Sequence, residues 1–537
     1  MTDTDWWRGA TIYQVYPRSF QDTTGDGMGD LPGITRRLPH IASLGVDAVW
    51  ISPFFPSPMA DMGYDVSDFR GVDPMFGTMD DFRTLLDRAH DLGLKVIIDQ
   101  ILSHSSDQHR WFAQSRSSRE NPYADWYVWA DPQPDGTPPN NWLSVFGGPA
   151  WEWDGQRMQY YLHGFLASQP DFNLHNPAVQ DELLDILRFW LDAGVDGFRL
   201  DACVHYFHDR HLRSNPPAPP EHHAPDVPLT NPYGFQDHLY DKSQPENLAF
   251  LQRIRHLLDS YGDRVALGEI GDGPRSPITI GQYTGGGDKL HASYTFDLFG
   301  HDLSPAFFRA PIELFEQQAG DGWACWSLSN HDVARHVSRW LRPGSDPRRL
   351  ARLAIHILVA LRGTICIYQG EELGLTEAEL TFEQLRDPYG IRFWPAFKGR
   401  DGCRTPMPWE ADAPNGGFTT GTPWLPLPPE HLAMSADVQE LSRGSVLADY
   451  RAAIGLRKRH RAIAYGNIRF HDAPPGLLAF TRAAADETIL CLFNLSDRVA
   501  HWPNPPSDAR CIAAGGQTMT KTEIRLEPSG FAWLLIP

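Results

Sequence analysis

Apolar positions along the first hundred residues switch between two periods. The runs ATIYQVYP (10–17), DAVWISP (47–53) and KVIIDQ (95–100) are short and nearly all apolar, which predicts strands buried on both faces. Between the second and third lies DDFRTLLDRAHDLG (80–93). Its apolar residues fall at helical spacing, and the closing glycine predicts a C-cap. The rhythm stops over 105–170, a stretch rich in Trp, Tyr, Pro and Gly with no clear period. This predicts a long insertion after the third strand. The alternation resumes with NPAVQDELLDILRFWLDAG (176–194), a helix feeding VDGFRLD (195–201). RVALGE (264–269), ASYTFDL (292–298), CWSLSN (325–330) and GTICIYQG (363–370) supply the remaining strand candidates.

Eight such strand–helix repeats predict an α/β protein with a parallel sheet and helices outside it. Their number and spacing favour a closed (β/α)8 TIM barrel over an open doubly wound sheet. No GxGxxG opens a helix after the first strand, which weighs against a dinucleotide fold. A Pro/Gly-rich segment near 374–430 interrupts the last repeat, and the basic helix ADYRAAIGLRKRHRA (448–462) closes the barrel. Beyond it, GLLAFTR, TILCLFN and GFAWLLIP predict a C-terminal antiparallel β domain. The expected division is a barrel over 1–104 and 175–463, an inserted subdomain over 105–174, and a C-terminal β-sandwich over 464–537.

Charge narrows the partners. With 67 acidic against 47 basic residues the chain carries −20, the reverse of what duplex DNA or an anionic membrane selects. No nucleic-acid or membrane partner is expected, and a neutral or cationic ligand is favoured. The six cysteines form no CxxC pair, so zinc and thioredoxin-type chemistry are not expected. Cys366 and Cys491 sit in apolar runs and read as buried free thiols. The first residues, MTDTDWWRGA, lack the basic and apolar regions of a signal peptide, and no apolar run reaches bilayer length. A reducing cytoplasm is the expected compartment. The 18 tryptophans fit a large core, and they also fit a site where flat rings stack on sugars.

Candidate chemistry gathers where the barrel fold puts it, at the C-terminal ends of strands. Asp99 ends the third strand, Asp201 the fourth and Glu269 the fifth, and Asp332 follows the seventh. Any one alone is explained as an N-cap for the next helix. Four converging on one barrel mouth are not. Two carboxyl groups flanking a bond are what glycoside hydrolysis needs, ~5–5.5 Å apart in retaining enzymes. Arg199 projects to the same side as Asp201 and is expected to keep it ionised. Glu269 needs a raised pKa to hold a proton, as burial near other carboxylates would give.

The motifs resemble those of the α-amylase family of retaining glycosidases, and within it the α-glucosidase and isomaltase subgroup. The matching stretches are DAVWISP, DQILSH (99–104), GFRLDA (197–202), GEI (268–270), SNHD (329–332) and YQGEELG (368–374). QPDFN (169–173) and RDGCRTPMPW (400–409) resemble subgroup motifs. The resemblance runs over essentially the whole chain in the family's order. It implies Asp201 as nucleophile, Glu269 as general acid/base, and Asp332 as the third carboxylate, which binds and distorts the glucosyl ring. It implies that Asp61, Tyr64, His104, Arg199, His331 and Arg400 clamp that ring. Phe146 and Phe165, in the insertion, are candidates for the pocket wall.

Ser103 stands where the family usually has the Asn that helps hold a calcium ion in many α-amylases, so that site is not expected. DTTGDGMGD (22–30) places Asp22, Thr24, Asp26, the Met28 carbonyl and Asp30 at the odd positions of a calcium loop, with Gly27 at the turn. One structural Ca2+ or Mg2+ is expected there, and no cofactor for catalysis. The subgroup more often has Asn at Thr24, and Gly33 replaces the terminal Glu of an EF-hand. Ala202, directly after Asp201, resembles the α-1,4 members, where Val tends to accompany α-1,6 preference. The resemblance thus implies hydrolysis of terminal α-1,4-linked glucose from maltose-like substrates, with transfer to sugar or alcohol acceptors, by a monomer or homodimer. It also leaves open an α-1,6- or sucrose-acting relative and a sugar isomerase of the trehalose synthase or sucrose isomerase type. The family's non-catalytic binding subunits have a membrane anchor and have lost catalytic carboxylates; this chain keeps all three.

Overall fold

The structure is a computed structural model that describes residues 5–219 and 227–536. Eight parallel strands form its centre: β1 (Thr11–Val15), β2 (Ala48–Ile51), β3 (Lys95–Gln100), β4 (Gly197–Leu200), β5 (Val265–Ile270), β6 (Ala292–Thr295), β7 (Cys325–Ser327) and β8 (Thr364–Tyr368). Their order in the sheet is β7-β8-β1-β2-β3-β4-β5-β6. The β6–β7 seam closes through a parallel bridge between Ser293 and Ala324. The TIM barrel expected from the eight repeats is therefore present. Its interior is a packed core of alternate strand residues, among them Ile12, Trp50, Ile97, Leu267, Tyr294 and Cys366.

Local signals in the sequence explain the elements that aim the site. The helix Met79–Asp91 opens with a capping box between Thr78 and Asp81, and left-handed Gly93 follows its end. The helix Pro177–Ala193 has proline at its start, Asn176 as N-cap, and Gly194 as C-cap at φ 106°. That left-handed turn swings the chain directly into β4. The register then pairs Asp99 of β3 with Arg199 of β4, and Glu269 of β5 with Tyr294 of β6.

The aperiodic 105–170 stretch contains the helix Arg110–Ser117 and a three-stranded antiparallel sheet of Trp129–Ala130, Gln159–Leu162 and Trp151–Asp154. Elements this short carry too few periods to register in the sequence. The basic helix ends at Arg459, and a second, Arg461–Tyr465, starts after His460. Glu487 makes the break, taking the His460 ring at 2.5 Å and the Ala462 amide at 2.9 Å. The C-terminal strands form a six-stranded antiparallel sheet built around Glu523–Ile536. All six cysteines are unpaired, and five of them are buried. Among the described residues, no helix is long and apolar enough to cross a membrane.

Candidate active site

The C-terminal ends of the strands open into a pocket of about 400 Å³. At its floor lies Arg199, which is fully buried. Its Nη1 sits 2.8 Å from Asp99 Oδ1 and 2.5 Å from Asp201 Oδ1, and its Nη2 sits 2.6 Å from Glu269 Oε1. One guanidinium thus grips three carboxylates from β3, the end of β4, and β5. The cross-strand register makes this possible. Tyr294 donates its hydroxyl to Glu269 at 2.9 Å and receives Arg199 Nη2 at 2.7 Å. The Ala202 amide donates to Glu269 Oε2 at 2.8 Å.

Burial pushes both Asp201 and Glu269 up to about 7, despite Arg199. Arg199 lowers each, but its single charge is shared among three acids, while Asp332 raises both. Asp99 is raised to about 6 by burial in the same cluster. Arg199 lowers Asp201 in the expected direction, and burial with the neighbouring acids outweighs it. The cluster holds more acid than base, so both carboxyl groups sit above the usual carboxylate range.

A second basic group stands above. Arg400 reaches Asp61 at 2.8 Å, Asp332 at 3.2 Å and Asp387 at 2.8 Å. Arg404 reaches Asp332 at 2.9 Å and the His331 carbonyl at 2.6 Å. Pocket burial alone would raise Asp332, but the Arg400 and Arg404 guanidinium groups, with the His331 ring beside it as a hydrogen-bonding partner, hold it well below the usual carboxylate range. Asp61 moves the other way, up to about 6, because its burial outweighs Arg400. Burial lowers His104 to about 4 and His331 to about 3, so both rings are neutral hydrogen-bonding groups. Tyr64 bridges them: its hydroxyl meets His331 Nε2 at 2.5 Å and Asp99 Oδ2 at 3.1 Å, while its carbonyl meets His104 Nε2 at 3.1 Å. Phe146 lies under the Arg400 guanidinium, and Phe165 packs 5.2 Å from His104.

This arrangement matches known proteins. The family model for the α-amylase catalytic domain covers residues 14–466. The chain belongs to the α-amylase family. It is 58% identical over 500 residues to a probable alpha-glucosidase of Rhizobium meliloti (strain 1021), covering 93% of this chain and 91% of the relative. It is 38% identical over 549 residues to an oligo-1,6-glucosidase of Heyndrickxia coagulans, covering 95% of each. The solved structure of an alpha-glucosyl transfer enzyme, XgtA, superposes with a TM-score of 0.96 at 52% identity over 99% of each chain.

In this member of the α-amylase family, Asp61, Tyr64, His104, Phe146, Phe165, Asp201, Ala202, Glu269, Asp332 and Arg400 all line the one pocket. Arg199 and His331 stand behind them, bonded to residues of the lining. Several groups escaped the sequence reading. Arg404 lies inside RDGCRTPMPW, and only the fold-back of that segment makes it a partner of Asp332. Gln169, in QPDFN, donates to Asp61 at 3.1 Å. Tyr294, Asp387, His205 and Tyr233 had no signal beyond residue type.

The 22–30 loop lies apart from the pocket. Asp22 Oδ1 accepts the amides of Thr24 and Gly25, and Oδ2 accepts those of Gly27 and, through its hydroxyl, Thr419. Asp30 accepts Thr23 and caps the next helix through the Gly33 amide. Asp26 is exposed and accepts the Met28 amide. Among the described residues no three acidic, His or Cys side chains converge as a metal cluster. The loop supplies oxygen donors of the kind a hard cation takes, with their lone pairs turned mostly to backbone amides.

Proposed function

We propose that this protein is a retaining α-glucosidase that also transfers glucosyl groups. The observation that carries the reading is the grip of one Arg199 guanidinium on both Asp201 and Glu269. Carboxylates held by adjacent nitrogens of one rigid fork are near neighbours, as the ~5–5.5 Å separation of retaining enzymes requires. Asp201 Oδ attacks C1 of the terminal glucose while Glu269 gives its proton to the leaving oxygen. The C1–O bond breaks and a covalent glucosyl-Asp201 forms. Glu269, now ionised, takes the proton from water or from an acceptor hydroxyl as that oxygen displaces Asp201. Asp332, with Asp61, Arg400, Tyr64, His104 and His331, holds the ring being transferred. Apolar lining from Phe146, Phe165, Val204 and Phe296 supports sugar or alcohol acceptors with an apolar face.

We further propose a preference for α-1,4 linkages. Ala202 supports it, whereas the oligo-1,6-glucosidase relative is named for the other linkage. The unpaired thiols support a reducing, cytoplasmic setting. One structural Ca2+ or Mg2+ in the 22–30 loop is our reading of its donor set. Asp30 is raised by burial, with the neighbouring Asp22 charge adding to it, a repulsion that a cation would relieve. Metal content after chelation and dialysis, and a thermal shift on adding Ca2+, test it.

Proton NMR of the protein with maltose, followed over time, tests the main reading. Early α-glucose together with new α-glucosides is expected. Early β-glucose beyond the share already present at the reducing end of maltose would exclude retention, and intact maltose alongside consumed isomaltose or sucrose would overturn the linkage assignment.

A further inference from the structure

Three loops that are far apart in sequence meet at one buried side chain. Asn231, in the segment after β4, is fully buried. Its Oδ1 accepts the Tyr233 amide at 3.1 Å and so starts the turn Pro232–Phe235. Its Nδ2 donates to the Val145 carbonyl, in the inserted subdomain, at 2.8 Å. The same nitrogen meets the Tyr389 hydroxyl, in the short helix Pro388–Phe393, at 3.0 Å. A backbone N–H fixes one end of the amide as oxygen, and a backbone C=O fixes the other as nitrogen. The side chain therefore has one orientation, with every polar atom used.

All three partners, Val145, Tyr233 and Tyr389, line the pocket. Phe146, next to Val145, packs its ring 5.1 Å from that of Tyr389. The same post-β4 segment is tied to the loop after β5, since Lys242 Nζ donates to the Gly271 carbonyl at 2.7 Å and Arg275 pairs with Asp237 at 2.6 Å. The acids at the floor are held separately, by Arg199, Arg400 and Arg404. Asn231 thus belongs to the outer wall and touches none of the reacting groups.

We propose that Asn231 is a positioning residue that fixes this wall, and through it the partition of the glucosyl-enzyme between acceptor and water. The inference rests on the glucosidase and transfer reading above. In transfer, the acceptor oxygen bonds to C1, the C1–O bond to Asp201 breaks with its electron pair returning to the carboxylate, and the acceptor proton passes to Glu269. An acceptor sugar reacts only when held in orientation, whereas water needs no wall to hold it. Loosening the wall therefore penalises acceptors and spares water.

The test compares wild type with Asn231→Ala and Asn231→Asp, using maltose as donor and acceptor, and α-glucosyl fluoride, whose leaving group needs no wall contact, as a second donor. For Asn231→Ala, losing the buried bonds should cut the transfer-to-hydrolysis ratio by about tenfold or more and raise KM for maltose. Hydrolysis of α-glucosyl fluoride should stay within about twofold, since the floor is intact. Asn231→Asp keeps the acceptor for the Tyr233 amide and lets the Tyr389 hydroxyl reverse and donate to it, but loses the bond to Val145. It should fall between the two, and it carries the test if the alanine variant does not fold. An unchanged ratio in a folded variant, or equal loss on both donors, would overturn the proposal. If wild type turned over neither donor, the underlying reading would fall and take this inference with it.

Discussion

Arg199 Nη1 lies 2.5 Å from Asp201 Oδ1, two residues along the same strand end. The alternation of β4 puts both side chains on the barrel-mouth side, so the contact is set by local geometry before any substrate arrives. Because the same guanidinium also holds Asp99 and Glu269, its replacement strips three acids at once. Arg199→Lys keeps a charge but loses the fork. We expect kcat/KM on α-glucosides to drop by about a hundredfold or more, with the melting temperature lowered as well, since a point-charge ammonium cannot reproduce the fork that serves three buried carboxylates. Asp201→Asn should remove turnover by about ten-thousand-fold, because it deletes the attacking oxygen's charge. Near-normal rates in Asp201→Asn would displace it from the nucleophile role, and in Arg199→Lys would show that the fork is dispensable.

The pH profile follows from the two raised carboxyl groups. Asp201 and Glu269 are both raised to about 7, and in a cluster that also holds Asp99 the acids titrate in macroscopic steps that belong to the cluster. Activity needs one proton on the pair, so the profile of kcat/KM should be bell-shaped and narrow about neutral pH. Below it Asp201 gains a proton and the nucleophile is lost; above it Glu269 loses the general acid. Glu269→Gln should abolish the alkaline limb on substrates with activated leaving groups, which need little protonation in the first step. A limb that persists unchanged would assign it to another residue.

The same shifts carry a cost in stability. A carboxyl group whose folded pKa lies above its unfolded value of ~4 favours the folded state fully below that value, and the benefit is lost as pH rises through the folded pKa. For Asp99, raised to about 6, and for Asp201 and Glu269, raised to about 7, the window of loss is pH 4 to 7. Glu269→Gln removes one buried charge from an acid-rich cluster. It should raise the melting temperature by about 1–3 °C at pH 8, and by less at pH 5, while activity falls. A melting temperature lower at pH 8 than wild type would show that Glu269 is a net stabiliser.

The barrel was legible because its strands are continuous apolar runs separated by helices with clear caps, as at Thr78, Asn176 and Gly194. The floor of the site was legible for a related reason: acids at strand ends are few, and the register sets Asp99 beside Arg199 and Arg199 beside Leu267, two residues before Glu269 on the same face. The outer wall was not. Asn231, Tyr233 and Tyr389 sit in loops without a period, and what defines them is a set of bonds across gaps of 86 and 158 residues. Nothing local marks an Asn of that kind. Asp387 was hidden similarly, since its bond to Arg400 depends on how the 374–430 segment folds back. The 105–170 sheet was missed because its longest strands have four residues.

Ala202 adopts φ 40° and ψ 44°, a left-handed conformation uncommon for any residue with a side chain. The strain has a visible use: in this conformation its amide donates to Glu269 Oε2 at 2.8 Å. A β-branched side chain is worse still there, so Ala202→Val brings two effects together. It crowds a pocket-lining position beside the nucleophile, and it drives the backbone out of the geometry that serves Glu269, at about 1–3 kcal/mol for the strain. We expect kcat/KM for maltose to fall by about tenfold or more, and the ratio of isomaltose to maltose turnover to rise. The Glu269 limb of the pH profile should also move up, because an amide bond that favours its charged form is weakened. The two effects separate by measurement: steric selection alone changes the substrate ratio and leaves the limb in place, whereas backbone release moves the limb for both substrates. If neither changes, Ala202 is a bystander, and linkage preference must lie in the wall formed by Phe165, His205 and Tyr233.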